Sequence, residues 1–241
     1  MHRRAHRVLK ADPVMAALIK AAGPCRMPSR AQHPPFQTLA RAIAHQQLHG
    51  VAAERILARF VALFDPPNFP TPAQVIAAGN EQLRAVGFSY AKVAALKDLA
   101  AKSLEGIVPP PLQLALLSDA QIIERLSSVR GIGRWTVEMM LMFQLERPDV
   151  LPVDDFGVRN GFRLAYGLKR MPTPRALAQF GERWQPYRSA AAWYLWRAVD
   201  LARAHKLPPC ASPPPRLALV NVAKRAAGGK RAARARARAP K

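Results

Sequence analysis

Acidic residues are scarce in this chain of 241 residues: 15 Asp and Glu stand against 37 Lys and Arg, a formal net charge of +22. That imbalance excludes a basic protein or a free cation as the main partner and implies a polyanion. Cysteine is almost absent. Cys25 and Cys210 are far apart, so neither a disulfide framework nor a Cys₄ metal site can be assembled, and a reducing cytoplasm is the expected compartment. No run of 18 apolar residues occurs, and the start, MHRRAHRVLK, carries charge without a following apolar stretch. Neither membrane insertion nor export is expected. Aromatics make up 7% of the chain although hydrophobic residues make up 50%, and Ala and Leu dominate over Val, Ile and Thr. The expected fold class is therefore all-α. The length suits one sizeable body or two small lobes sharing a core, with no room for a third domain.

Among the features that are present, residues 207–241 hold nine Lys or Arg and no acid, so a net charge of thirteen remains for residues 1–206. The body is basic in its own right. The 207–241 segment, rich in Pro, Ala and Arg, is expected to be a disordered basic tail: either a solvated extension or a non-specific phosphate binder whose affinity falls with salt.

Helical periodicity is dense from Phe36 onward. Phe36, Leu39 and Ile43 form one stripe, and Ala52, Ile56, Phe60 and Leu63 a second, with a break near Gly50. Thr71-Pro-Ala-Gln74 and Ser118-Asp-Ala-Gln121 are capping boxes that mark helix starts. Before them lies a short amphipathic stretch, Val14 to Ile19. Further helices are expected at about 81–86, 90–105, 119–127, 134–146, 155–166, 174–184 and 187–205.

Two segments carry chemistry. In Val129-Arg-Gly-Ile-Gly-Arg-Trp-Thr136, Gly131 and Gly133 can take positive φ and leave room for a phosphate to approach the N–H groups opening the next helix, with Arg134 and Thr136 as added donors. The plain alternative is a tight turn between antiparallel helices. In Leu151-Pro-Val-Asp-Asp-Phe156, either Asp154 or Asp155 can cap a helix, and one of them can present a charge to a developing cation. Composition leaves the choice open.

The blocks ARAIAHQQL ending at Leu48, FPTPAQVIAAGNEQLRAVGFSYAKVAAL (69–96), LSSVRGIGRWT (126–136), LPVDDFGVR (151–159) and ERWQPYRSAAAWYLW (182–196) together resemble the helix-hairpin-helix DNA glycosylases, in particular the 3-methyladenine DNA glycosylase II branch. The resemblance implies two helical lobes, one of about residues 37–145 and the other of 1–36 with 146–205, and an active site in the cleft between them. It places Asp155 on the catalytic carboxylate, and Trp135, Trp196, Met139 and Phe156 in the base pocket. Some relatives have a tyrosine where Met139 stands, which bears on substrate range. Lyase-competent branches carry a lysine where this chain has Trp135, so hydrolysis of the glycosidic bond without strand cleavage is expected. The turn His45-Gln-Gln-Leu-His49 resembles the wedge region that fills the gap left by a flipped nucleotide. Gln47 is the first candidate for insertion and Leu48 the second, with Gln46 and His49 beside them; the structural alternative makes Leu48 core and the glutamines a helix end. A Na⁺ or K⁺ ion held by backbone carbonyls of Ser127, Val129 and Ile132 is implied, and no other cofactor. The partners implied are damaged double-stranded DNA and a downstream abasic-site endonuclease, the protein itself acting as a monomer in base excision repair.

Two other readings compete. A non-catalytic helix-hairpin-helix protein would need only the hairpin and tail, leaving Asp155 and the tryptophans unexplained. Zinc on His45 and His49 lacks a third ligand and the glutamate of the H-E-x-x-H pattern.

Overall fold

The computed structural model describes residues 2–27, 33–64 and 68–212, the side chains of residues 2 and 3 apart. From residue 213 on, the expected tail lies outside the described residues. Thirteen α-helices and one 3₁₀ turn, and no β-strand, are found among them. None of these helices is long and apolar enough to cross a membrane. By contact the described residues divide into two compact units, those within 1–26 and 151–212, and those within 27–150.

The first unit contains α1 (His2–Leu9), α2 (Pro13–Ala22), α11 (Phe156–Ala165), α12 (Pro174–Gly181), the 3₁₀ turn Glu182–Trp184 and α13 (Arg188–Arg203). Helix α13 packs on α11 and α2. The α11 crossing demands glycine, because a Cβ at Gly161 would overlap the carbonyl oxygen of Leu195. One turn earlier on α11, a Cβ at Gly157 would come within 2.8 Å of Trp196 Cδ1. The core is aromatic: Phe162 stacks on Tyr166 with centroids 4.2 Å apart, and Phe180 and Trp184 meet them edge-on. Asp12 is buried beneath this cluster. Its Oδ1 caps α2 by accepting from Val14 N at 3.0 Å, while Oδ2 accepts from Tyr166 Oη at 2.5 Å and Trp184 Nε1 at 3.3 Å. An isolated buried carboxylate would be strongly destabilising, and these donors offset that cost. Burial and the Asp12 charge push the Tyr166 hydroxyl well above its ordinary range.

The second unit contains α3 (Pro35–His45), α4 (Gly50–Ala62), α5 (Pro72–Ala77), α6 (Asn80–Ala85), α7 (Tyr90–Leu104), α8 (Pro111–Leu116), α9 (Asp119–Ser127) and α10 (Arg134–Phe143). Helix α7 is its centre, with α3, α5 and α6 packed on it. Phe60 gathers Phe64, Phe69 and Phe88 edge-on, with centroids 5.3 to 5.8 Å away. Both capping boxes form: Gln74 N donates to Thr71 Oγ1 and Gln121 N to Ser118 Oγ, each at 3.3 Å. On α4 the buried stripe is Ala53, Ile56, Leu57 and Phe60, an i, i+3, i+4, i+7 face, whereas Ala52 and Leu63 of the predicted stripe are exposed on its flanks. Helix α10 stops at Phe143 rather than near residue 146, and α12 ends at Gly181 and tightens into the 3₁₀ turn. Helices α1 and α8 have no counterpart in the sequence reading. Helix α1 carries three arginines and buries Ala5 and Leu9, four residues apart on one face, an amphipathic pattern that its charge disguises in the sequence, while α8 turns Leu112 and Leu116 to solvent and buries only Leu114, so it carries no such signal.

Candidate active site

The residues singled out by sequence fall into both units. Asp155, Phe156 and Trp196 belong to the first, and the remaining candidates to the second.

In the first unit, the link Leu151–Asp155, closed by a turn in which the Asp155 N–H donates to the Pro152 carbonyl at 3.0 Å, ends where α11 begins, and Asp155 is the N-cap of that helix. Its Oδ1 accepts from Val158 N at 2.7 Å and from the indole Nε1 of Trp196 at 2.8 Å. Two donors converging on one oxygen fix the rotamer of the carboxylate. Trp196 reaches Asp155 because Gly157 leaves the facing surface of α11 bare. Asp154, its neighbour, is exposed and does not cap the helix. The polar edge of Trp196 is thus committed to Asp155, a role that a reading of it as a stacking surface alone misses. Phe156 is 69% exposed.

In the second unit, α9 and α10 are joined by the hairpin turn Ser128–Gly133. Val129 and Ile132 anchor the turn in the core, and the Ile132 N–H donates to the Val129 carbonyl at 3.0 Å. Gly131 sits at φ +78°, but Gly133 sits at φ −95° as the N-cap of α10. Only the first glycine needs the left-handed region; the second serves by leaving the helix end uncovered, since nothing lies within 4 Å of a Cβ built there. No side chain caps α10, so no side chain offsets the partial positive charge of its N-terminus. Arg134, on the first turn, is 59% exposed and donates through Nε to the buried Glu138 carboxylate at 2.8 Å.

The turn is braced from α7, a feature the sequence reading missed although Asp98 and Lys102 stand at the i, i+4 spacing of a helical ion pair. Asp98 Oδ2 accepts from Arg130 N at 2.7 Å and from Lys102 Nζ at 3.0 Å, and Lys102 also donates to the Ser128 carbonyl. Burial pushes the Asp98 carboxyl up, but the Arg130 N–H and the Lys102 ammonium outweigh it and hold the group below its usual range. Around them, the backbone oxygens of Ser127, Val129 and Ile132 are neutral, hard donors of the kind a monovalent cation takes. Lys92 Nζ donates to the Ala44 carbonyl at the end of α3, at 2.8 Å, and burial lowers its pKa.

An open cavity of about 980 Å³ runs between α3, the start of α4 and α10. Trp135, Thr136 and Met139 line it together with Gln46, Gln47 and Gly131. Trp135 is 50% exposed. Gln46 donates through Nε2 to the Gly131 carbonyl at 2.7 Å, tying the α3–α4 turn to the hairpin. Gln47 adopts φ +56°, a conformation that costs a non-glycine residue about 1–2 kcal/mol and is met where a loop is held for a purpose. Leu48 is 40% exposed, which overturns its reading as core. His49 is exposed at the N-cap of α4 without capping it. His45 is paired to Glu54, Nε2 to Oε1 at 3.0 Å, alongside Arg41 at 3.2 Å, so a local partner other than a metal accounts for it.

A sequence profile of the HhH-GPD superfamily of base excision DNA repair proteins matches residues 40–186. The chain is 42% identical to DNA-3-methyladenine glycosylase 1 of Schizosaccharomyces pombe over 187 residues, 77% of this chain and 82% of that protein. Among solved structures it is similar to the S. pombe 3-methyladenine DNA glycosylase in complex with abasic DNA, with 40% identity and a TM-score of 0.73 over 83% of this chain and 98% of that one. It is also similar to a DNA-3-methyladenine glycosidase of Bacillus halodurans, with 31% identity and a TM-score of 0.74 over 81% and 89% of the two chains.

Proposed function

The chain belongs to the HhH-GPD superfamily of base excision DNA repair proteins, and we propose that it hydrolyses the N-glycosidic bond of alkylated purines of the 3-methyladenine and 7-methylguanine type in double-stranded DNA. The observation that carries this reading is the fixed Asp155 carboxylate, held on one oxygen by the helix it caps and by Trp196.

The nucleotide must leave the duplex before its bond can be reached. The exposed end of α10 and the hairpin take a backbone phosphate, and Gln47, already in its strained turn, enters the gap, with Leu48 beside it. The Ser127, Val129 and Ile132 carbonyls would hold a Na⁺ or K⁺ ion, which would supply further positive charge beside that phosphate. The Trp135 ring, with Met139 next to it on the cavity wall, receives the cationic base by stacking and cation–π attraction, worth about 1–2 kcal/mol when desolvated. Neutral bases gain less from that surface. As the bond breaks, positive charge grows on the sugar, and Asp155, whose geometry needs no rearrangement, stabilises it and orients the attacking water. The base leaves without its positive charge, so it needs no strong acid behind it. With Trp135 in the position of the lyase lysine, no Schiff base forms there, and the product is an intact strand with an abasic site for a downstream endonuclease. The enzyme acts on DNA in the cytoplasm as a monomer.

The test is incubation with methylated duplex DNA, chromatography of released bases and electrophoresis of the strand. Release of 3-methyladenine, nicking only after alkali and no borohydride-trapped adduct are expected. DNA binding without base release would favour the non-catalytic alternative instead.

A further inference from the structure

The α3–α4 turn and the hairpin are joined by one side chain. Residues His45 to Leu48 form a β-turn closed by the Leu48 N–H, which donates to the His45 carbonyl at 3.3 Å. Gln46, the first central residue, sits at φ −55°, ψ 129°, and Gln47, the second, at φ +56°, the pattern of a type II turn. Glycine is the ordinary occupant of that second position, because a Cβ is strained there. Gln47 holds it although its side chain is exposed, so packing does not account for a glutamine at this place.

The turn is tied down through Gln46. This residue is half-buried, and its Nε2 donates to the Gly131 carbonyl at 2.7 Å. A carbonyl oxygen only accepts, so the amide nitrogen must face it. The hairpin at the far end of this bond is itself fixed, by Arg130 N donating to Asp98 at 2.7 Å and Ile132 N to the Val129 carbonyl at 3.0 Å. The end of α3 is fixed as well, by Lys92 on the Ala44 carbonyl. Helix α3 packs chiefly on α7 and α4, and α10 on α9, while the open cavity lies between α3 and α10. The Gln46 amide therefore bridges the rim of that cavity. The net worth of one such bond is of the same order as the cost of one left-handed residue other than glycine.

Resting on the glycosylase reading above, we infer that Gln46 is a positioning residue for nucleotide extrusion: its bond to Gly131 holds the type II turn against the hairpin and keeps Gln47 in the conformation from which it enters the duplex. Gln46 acts through Gln47 and needs no contact with the excised base. The spacing between the hairpin and the inserted side chain is set before DNA arrives, so the entropy of ordering the turn is not lost at insertion.

The test uses full-length protein and a duplex carrying a tetrahydrofuran abasic analogue with 2-aminopurine opposite, whose fluorescence rises in stopped flow when an inserted side chain unstacks it. Gln46→Met keeps the length of the side chain and removes the donor. At saturating protein its fluorescence phase should slow about tenfold, while equilibrium affinity for the same duplex weakens by less than about threefold. Gln47→Ala should slow the phase at least as much. The decisive comparison is the double variant: because Gln46 acts through Gln47, Gln46→Met should add nothing in a Gln47→Ala background, whereas independent contributions would multiply. Thermal melting of all three variants checks folding. An unchanged phase in Gln46→Met, or multiplied losses in the double variant, overturns the positioning role and leaves the glycosylase reading in place. If the wild-type protein releases no base from methylated duplex DNA in a separate reaction, the glycosylase reading itself fails.

Discussion

Replacing Asp155 with asparagine separates charge from geometry at the site. The Asn side chain carries the same heavy-atom skeleton, and its carbonyl oxygen can occupy the Oδ1 position, where Val158 N and Trp196 Nε1 now lie at 2.7 and 2.8 Å. Both hydrogen bonds survive in weaker form, because bonds to an ionised acceptor are roughly twice as strong as neutral ones. Loss of the favourable charge at the α11 N-terminus costs about 0.3–1 kcal/mol more. Together these lower stability by about 1–2 kcal/mol, a fall in Tm of roughly 2–8 °C for a protein of this size. The barrier changes by more. Removing a preorganised electrostatic contact to the transition state slows the chemical step by about 10²–10³, or roughly 3–4 kcal/mol. A domain with ordinary stability stays almost wholly folded after such a loss, so the rate cannot be attributed to unfolding. The assay is single-turnover release of 3-methyladenine at saturating enzyme, with Asp154→Asn as the control. Asp154 is exposed and caps nothing, so its variant should remain within a few-fold of wild type. An Asp155→Asn rate within tenfold of wild type would refute the electrostatic role of Asp155, and a large loss in Asp154→Asn alone would mean that the wrong carboxylate has been assigned.

Trp196→Phe removes the indole N–H while keeping an aromatic ring, so it should slow single-turnover excision about tenfold while lesion-DNA affinity changes less; equal rates would show that the Trp196 bond does not orient Asp155. Gly131→Ala places a side chain at φ +78° and 3.3 Å from Ala95 Cβ, and should cost about 1–2 kcal/mol in chemical denaturation, whereas Gly133→Ala, at φ −95° with open space around it, should leave stability within about 0.5 kcal/mol and instead weaken DNA binding. Asp98 has a depressed pKa in the fold, so its contribution is present above the unfolded carboxylate range and is lost as pH falls through the lower folded value. Asp98→Asn should accordingly be less stable than wild type at pH 7, by under about 1 kcal/mol for so accessible a pair, and the two denaturation curves should converge as pH falls below the ordinary carboxylate range.

The sequence by itself determined the helical class, the two capping boxes, the hairpin and the polyanionic partner, because each rests on local chemistry. A Thr or Ser three residues before a Gln closes its own hydrogen-bonded ring, a glycine supplies φ +78° at residue 131 wherever the turn lies, and a net charge of +22 acts at long range without a fold. Asp155 was legible as one of an adjacent pair; its preference over Asp154 came from resemblance, since both aspartates can cap. The tertiary structure adds what distance along the chain conceals. Trp196 donates to a carboxylate 41 residues away only because Gly157 and Gly161 let α13 settle against α11. Asp12 is satisfied by Tyr166 and Trp184, more than 150 residues on, and Gln46 is committed to Gly131 across 85 residues. The α4 stripe shows the same limit at short range. Periodicity named a face, but the packing of Phe60 among its aromatic neighbours chose Ala53 and Leu57 over Ala52 and Leu63. Whether a polar atom such as Gln46 Nε2 finds a partner depends on every residue that could have reached it, and only the folded chain brings the Gly131 carbonyl within 2.7 Å of that amide.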